Sequence, residues 1–365
     1  MARLKTALVG CGKVGHLHAA ALRSLPESEF VAVCARSPEK AGAFAQQYNV
    51  AAFTDVKEMI SKAGVEALCI CTPHPQHAAP TIAAAQEGVH VLVEKPLASS
   101  LADCDAMLAA ARAGNAVLGT ISQRRFYPPC QRIHQAILDG RIGRPVLGSA
   151  TMLSWRDENY YRSDPWRGTW QHEGGGVLVN QSPHPLDLLL WYLGEAEEVF
   201  GYWANQNHPY IEVDDTAVAV VRFKSGALGT IVMSNSQNPA LHTRVSVHGA
   251  NGASAGAQTD GGAMFVAGLT GIAEAPFNDI WTVPGEEQLL AQWKEEDARL
   301  FKSVNAMEHF HRRQIQDFLR AILQRRPPAV TGEDGRRTVE LFTAIYRTTR
   351  DRKPVRFPLA ADQTV

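Results

Sequence analysis

The feature that most narrows the fold is Gly10-Cys11-Gly12-Lys13-Val14-Gly15. It lies between an apolar run at residues 4–9 and a helical pattern at 14–22. In a first strand-to-helix turn each glycine of G-x-G-x-x-G has its own task. Gly10 permits the tight turn, Gly12 lets the backbone approach a pyrophosphate, and Gly15 allows close helix–strand packing. The N–H groups of Lys13, Val14 and Gly15 then open a helix whose positive end suits phosphate.

Strand-like and helix-like stretches alternate through residue 120. Apolar runs at 30–35, 67–71, 89–93 and 116–120 are separated by helical patterns such as 38–48. Alternation of this kind predicts βαβ units and a parallel sheet covered on both faces. After Gln123 the texture changes. Strands are expected at 145–154, 198–205, 216–223, 227–235 and 244–247, with Lys224-Ser225-Gly226 joining a hairpin. Residues 249–262, rich in Gly, Ala, Ser and Thr, read as a loop, and 307–323 and 336–350 as helices. The expected fold is α/β. A Rossmann dinucleotide-binding domain spans 1–122, and an α+β domain with an open, mostly antiparallel sheet spans 123–365.

Composition removes several functions. Lysine plus arginine is 36 against 37 for aspartate plus glutamate, a net charge of −1, which argues against binding to nucleic acid or a membrane surface. No apolar run reaches the roughly 18 residues of a spanning helix, and no secretory leader pattern opens the chain. A cytoplasmic protein is expected. The cysteines, Cys11, Cys34, Cys69, Cys71, Cys104 and Cys130, read as reduced thiols rather than a disulfide framework.

The acidic residue that clamps an adenosine 2′-hydroxyl belongs about 20 residues past the glycines. Arg36 and Ser37 stand there instead, with Lys40 beyond, and tilt the expectation from NAD towards NADP. Cys69, Cys71, His74 and His77 mimic zinc spacing. Thr72-Pro73 ends the strand at the edge where open α/β sheets bind ligands, so Cys71, Thr72, Pro73, His74 and His77 read as a cofactor-lining loop and no metal is expected. Glu94-Lys95-Pro96 places a lysine at the end of another strand. Further on, Gly174-Gly175-Gly176 precedes Asn180, Ser182, His184, Asp187 and Gly194. Ser182 is expected to cap a helix that Gly194 stops. His184 in its first turn, with Asp187 beside it, is a candidate general base. His309 and His311, beside Arg312 and Arg313, read as a solvated helix face.

Taken together, the glycine loop, Cys71-Thr72-Pro73 with His77, Glu94-Lys95-Pro96 and the Asn180–His184–Asp187 segment resemble the Gfo/Idh/MocA oxidoreductases. The stretches from Arg312 to Phe318 and Lys353-Pro354-Val355 share that likeness. The resemblance implies hydride transfer between nicotinamide and a hydroxyl of a sugar or cyclitol, and a homodimer or homotetramer assembled through the second sheet. It makes Lys95 the donor to the reacting oxygen and His184 the acid/base. Asn180 stands where many members carry aspartate, so it can orient substrate but cannot share a proton. Glu94 and Gln123 join the expected cofactor contacts.

Trp155, Tyr160, Tyr161, Trp166 and Trp170 crowd one stretch, interleaved with Arg156, Arg162 and Arg167. Aromatic faces pack on sugar rings and arginine forks hold carboxylate or phosphate. Arg156, Tyr160, Trp166 and Arg167 are therefore expected at the substrate, with Trp166 and Arg167 also near nicotinamide by resemblance. Two other readings are a dihydrodiol dehydrogenase acting on an aromatic diol and a nicotinamide-sensing regulator without chemistry.

Overall fold

The computed structural model describes residues 2–261 and 274–359. The chain divides into two compact units, residues 1–123 with 306–336 and residues 124–305 with 337–365.

The first unit begins with β1 (Leu4–Val9), α1 (Lys13–Ser24), β2 (Ser28–Cys34), α2 (Pro38–Tyr48), β3 (Ala51–Phe53) and α3 (Val56–Ala63). It continues with β4 (Ala67–Ile70), α4 (Ala78–Gln86), β5 (His90–Val93), α5 (Leu101–Ala113) and β6 (Leu118–Thr120). The six strands pair in parallel in the order β3-β2-β1-β4-β5-β6. Order reverses between β1 and β4, and the glycine loop leaves β1 at that switch point. Helix starts follow local chemistry: Ser37, Asp55 and Ser100 each accept a hydrogen bond from a first-turn N–H.

The second unit contains α6 (Pro128–Leu138), β7 (Pro145–Leu153), α7 (Glu158–Arg162), α8 (Pro183–Leu193), β8 (Ala196–Ala204), β9 (Thr216–Phe223) and β10 (Leu228–Ser234). Next come β11 (His242–Gly249), β12 (Ser254–Gly261), β13 (Phe277–Trp281) and α9 (Leu289–Ser303). The helix α10 (Ala306–Gln324) returns to the first unit, and α11 (Gly332–Asp351) and β14 (Val355–Arg356) close the described chain. Eight strands form one sheet in the order β13-β12-β11-β7-β10-β9-β8-β14, antiparallel except for the β7–β10 pair. α8 packs on β7 and β11. Along β9, Ala217, Ala219, Val221 and Phe223 face inward while Val218 and Val220 are exposed, the alternation of a sheet covered on one side.

Three expectations change. Residues 254–261 form the strand β12 between β11 and β13, not a loop; residue 262 lies outside the described residues. Small residues carry little intrinsic strand preference, and pairing on both sides overrides it. The boundary at 122 also omits a return: residues 306–336 belong to the first unit, where α10 packs on α1 and buries Phe310, Ile315, Phe318 and Leu319. His311, expected in water, is 3% exposed.

Candidate active site

In the first unit the glycine loop is shaped by close backbone approach. Gly10 has φ +106°, and a Cβ there would lie 2.6 Å from the Cys71 carbonyl carbon. A Cβ at Gly12 would meet nothing within 4 Å, so the loop is open on the side a pyrophosphate would take. No side chain caps α1, and its first turn carries no acidic residue. Those unclaimed N–H groups form a ready anion site. Gln123 adds a buried Oε1 that accepts no hydrogen bond among the described residues. The residues present therefore fit a dinucleotide.

Arg36 is exposed just past β2. Ser37 accepts from the Lys40 N–H and donates to Glu39, so its hydroxyl is tied into the start of α2. At the end of β4, Cys71 and Thr72 touch the glycine loop, Pro73 leads into a short 3-10 turn at His74–Gln76, and both rings of His74 and His77 are buried. His77 spans two loops: Nε2 lies 2.9 Å from the Thr72 carbonyl and Nδ1 3.0 Å from the Pro96 carbonyl. Burial pushes the Cys71 thiol well above its ordinary range, which makes it inert.

Glu94 and Lys95 follow β5, and the Lys95–Pro96 peptide is cis. The Glu94 carboxylate turns to His18 Nε2 at 2.8 Å and His311 Nε2 at 3.6 Å, and also accepts from the Lys95 N–H at 3.1 Å. Burial would raise this carboxyl, but the two rings hold it well below the usual carboxylate range. The three groups have the right atoms for a metal, yet hydrogen bonding already accounts for them. Among the described residues His18 Nδ1 is buried without a partner, whereas a metal-bound histidine donates from its other nitrogen. The sequence does not mark His18 and places His311 on a solvated face, because only the packing of α1 and α10 brings the two rings to Glu94.

In the second unit, Gly175 and Gly176 let the chain press against Tyr346 and Asp214, where side chains would collide. Asp214 then accepts from the N–H groups of Gly176 at 2.7 Å and Leu178 at 3.0 Å and from the Tyr346 hydroxyl at 2.6 Å. This anchors a π-helical turn, Val177–Gln181, that runs directly into α8. Ser182 sits at that junction in αR geometry; its hydroxyl donates to the Val177 carbonyl and does not cap α8. The expected cap fails because the turn before α8 is itself helical. His184 is 7% exposed in the first turn of α8. The Asp187 carboxylate accepts from Arg125 Nε at 2.8 Å and Nη2 at 2.6 Å. Nothing in the sequence singled out Arg125.

The aromatic stretch folds mainly onto itself. Tyr160 and Tyr161 are buried with Ile211, Val213 and Trp170. Trp170 meets Trp203 and Tyr346 edge-on, and Trp155 lies against His208. The guanidinium of Arg167 lies 4.3 Å from the Tyr160 ring centroid and 4.5 Å from that of Trp166, while that of Arg156 lies 5.3 Å from Tyr160. The Tyr160 ring is thus in protein contact, and its hydroxyl is the group it offers to polar neighbours. That hydroxyl faces Arg167 Nη1 at 2.5 Å, Gln181 Nε2 at 2.9 Å and Asn180 Nδ2 at 3.2 Å. The Asn180 amide also contacts the Glu173 carboxyl. His208 ties the stretch down, with Nδ1 on Asp215 at 2.7 Å and Nε2 on the Arg156 carbonyl at 2.8 Å. Glu173 and His208 were missed because neither stands in a motif.

Comparison with known proteins agrees with this geometry. Residues 4–121 match the oxidoreductase family model with an NAD-binding Rossmann fold, and residues 130–255 match the GFO/IDH/MocA C-terminal domain. Myo-inositol 2-dehydrogenase of Thermotoga maritima is 25% identical over 359 residues, covering 97% of this chain and 98% of that protein. The scyllo-inositol 2-dehydrogenase (NAD(+)) of Bacillus subtilis is 27% identical over 68% of this chain and 72% of its own length. The WlbA dehydrogenase of Bordetella pertussis, solved with NADH and UDP-GlcNAcA, superposes with a TM-score of 0.85 at 27% identity, covering 98% of this chain and 99% of that one. With both of its domains matched, this chain belongs to the Gfo/Idh/MocA family of NAD-dependent oxidoreductases.

Proposed function

We propose that the enzyme oxidises a secondary hydroxyl, or reduces the matching ketone, of a sugar, sugar derivative or cyclitol in the cytoplasm. The observation that carries this reading is the near full-length match to an inositol dehydrogenase in a chain that keeps both Lys95 and His184. The nicotinamide, when bound, accepts or returns the hydride. Lys95, at the carboxyl end of β5, donates from its ammonium to the reacting oxygen and stabilises negative charge developing there. His184 takes the hydroxyl proton in oxidation and returns it in reduction. Asp187, held by Arg125, keeps the first turns of α8 in place around it. Asn180 orients the substrate, with Arg156, Tyr160, Trp166 and Arg167 lining its side of the site.

The dinucleotide is held by Gly10, Gly12, Lys13, Val14 and Gly15, by the loop from Cys71 to His77, and by Gln123. Arg36 and Ser37 read the adenosine end and favour a 2′-phosphate, hence NADP over NAD. The exposed sheet face, with Tyr202 at 65%, Val220 at 56% and Leu228 at 54%, is the surface through which copies of the chain associate. A screen of sugars and cyclitols with NAD and with NADP, read by nicotinamide absorbance, tests the reading. Turnover of an inositol or a sugar is the expected result. Turnover of aromatic diols alone, or of nothing in the panel, overturns it.

A further inference from the structure

The loop between β8 and β9 folds around one ring. The Asn205 side chain accepts from the His208 N–H at 3.0 Å and donates to the His208 carbonyl at 2.8 Å, so the backbone turns back on itself. Asp215 closes the loop, accepting from the N–H groups of Gln206 at 2.9 Å and Asn207 at 2.7 Å. The His208 ring is thereby set between Asp215 Oδ2, 2.7 Å from Nδ1, and the Arg156 carbonyl, 2.8 Å from Nε2. The side chains of His208 and Asp215 are both 0% exposed. We infer that His208 is a positioning residue for substrate: its ring carries both protons, is anchored by Asp215, and through the Arg156 carbonyl fixes where the Arg156 guanidinium stands. This rests on the reading of Arg156 as a substrate-lining residue.

Both neighbours of the ring are acceptors. A carbonyl oxygen has no proton to give, and Asp215 already takes two backbone N–H groups, which favour its ionised form. Burial would raise the Asp215 carboxyl, but the His208 ring and those N–H groups hold it well below the usual carboxylate range. A neutral ring would turn a lone pair on one of the two oxygens, in a place closed to solvent. With both nitrogens protonated, each oxygen receives a donor. Trp155, Tyr161 and Tyr210 enclose the ring, with centroids 5.4 Å, 5.6 Å and 5.6 Å from its own. The ionisable groups facing it are thus Asp215, Tyr161 and Tyr210, with Asp157 and Glu158 acting from beyond Tyr210.

Arg156 is the residue whose placement this decides. It lies beyond the end of β7, past the Trp155–Ser236 bridge, where His208 rather than a strand gives its carbonyl a donor. Its N–H donates to the Asn235 carbonyl at 3.2 Å. Held on both sides, the residue sends its guanidinium to 5.3 Å from the Tyr160 ring centroid, with Nη1 donating to the Trp155 carbonyl at 2.8 Å. His208 itself passes no proton in the reaction.

The two bonds of the ring can be separated, because a glutamine amide puts its donor near the place of Nε2 and an asparagine amide near that of Nδ1. With the substrate that the screen finds active, His208→Asn should raise substrate KM by about tenfold or more, while kcat and NADH affinity stay within about twofold of wild type. His208→Gln, which keeps the donor to Arg156, should leave KM close to wild type. KM unchanged in His208→Asn, or raised equally in both variants, overturns the inference. In the substrate-free wild type both ring nitrogens, followed by long-range proton–nitrogen NMR and assigned by their loss in His208→Gln, should carry protons at about pH 7. A ring with one bare nitrogen overturns the inference and leaves the proposed function standing. Turnover of an aromatic diol alone overturns the proposed function, and the same two variants then test the inference on the diol. Where nothing in the panel is turned over, the proposed function fails and the ring measurement decides the inference.

Discussion

Arg125 and Asp187 form a two-pronged ion pair in which Nε reaches Oδ2 at 2.8 Å and Nη2 reaches Oδ1 at 2.6 Å, each side chain 5% exposed. Both bonds are charge-assisted and parallel, so the pair fixes orientation as well as distance. It holds the first turns of α8, where His184 stands. Removing one partner leaves a buried charge without its mate, at about 3–5 kcal/mol. Arg125→Met should therefore lower stability by that order in urea unfolding followed by circular dichroism. Arg125→Met with Asp187→Leu should lose less than the single change, because no lone charge remains. Equal losses in the two proteins would show that the pair is not the source.

Lys95 and His184 are expected to serve chemistry rather than folding. Lys95→Ala and His184→Ala should each lower kcat by about 10²–10⁴-fold. NADH binding, followed by fluorescence titration, should stay within a fewfold of wild type. Full activity in either variant would remove that residue from the mechanism.

Arg36 is exposed at the end of β2 with no carboxylate at the strand end to clamp a 2′-hydroxyl. Arg36→Asp should move the ratio of kcat/KM for NADP over NAD towards NAD by about tenfold or more. An unchanged ratio would mean that Arg36 does not contact the 2′ position.

Glu173 also carries a prediction about stability that needs no substrate. Burial raises its carboxyl from 4.5 to about 7 in the folded chain. A raised folded value contributes stability fully below the unfolded pKa and loses it as pH rises through the folded one. Stability should thus fall between about pH 4.5 and pH 7, by about 3 kcal/mol if Glu173 acted alone. Glu173→Gln should remove that part of the slope in urea titrations across the range. An identical slope in both proteins would place the pH dependence elsewhere.

Much of the first unit is legible because its signals are local. A strand, three spaced glycines and a helix are neighbours in the chain, and their order needs no distant contact to be read. The same holds for the hairpin of β9 and β10, where Lys224-Ser225-Gly226 joins two strand-like runs. Lys95 and His184 stand out in the sequence as candidates because each stands in a motif at the end or start of an element. β12 was not legible, since its glycines and alanines become a strand only when β11 and β13 pair with it.

Sequence alone determined the alternation of elements, the phosphate-binding turn and the family to which those motifs point. Tertiary structure alone decided that α10 returns to bury His311 beside Glu94, that Arg125 holds Asp187, and that Glu173 meets Asn180. The physical reason is the range of the interactions. Backbone propensity, turn chemistry and hydrophobic period act over a few residues, whereas a buried charge finds its partner wherever packing brings one. No spacing along the chain records that meeting.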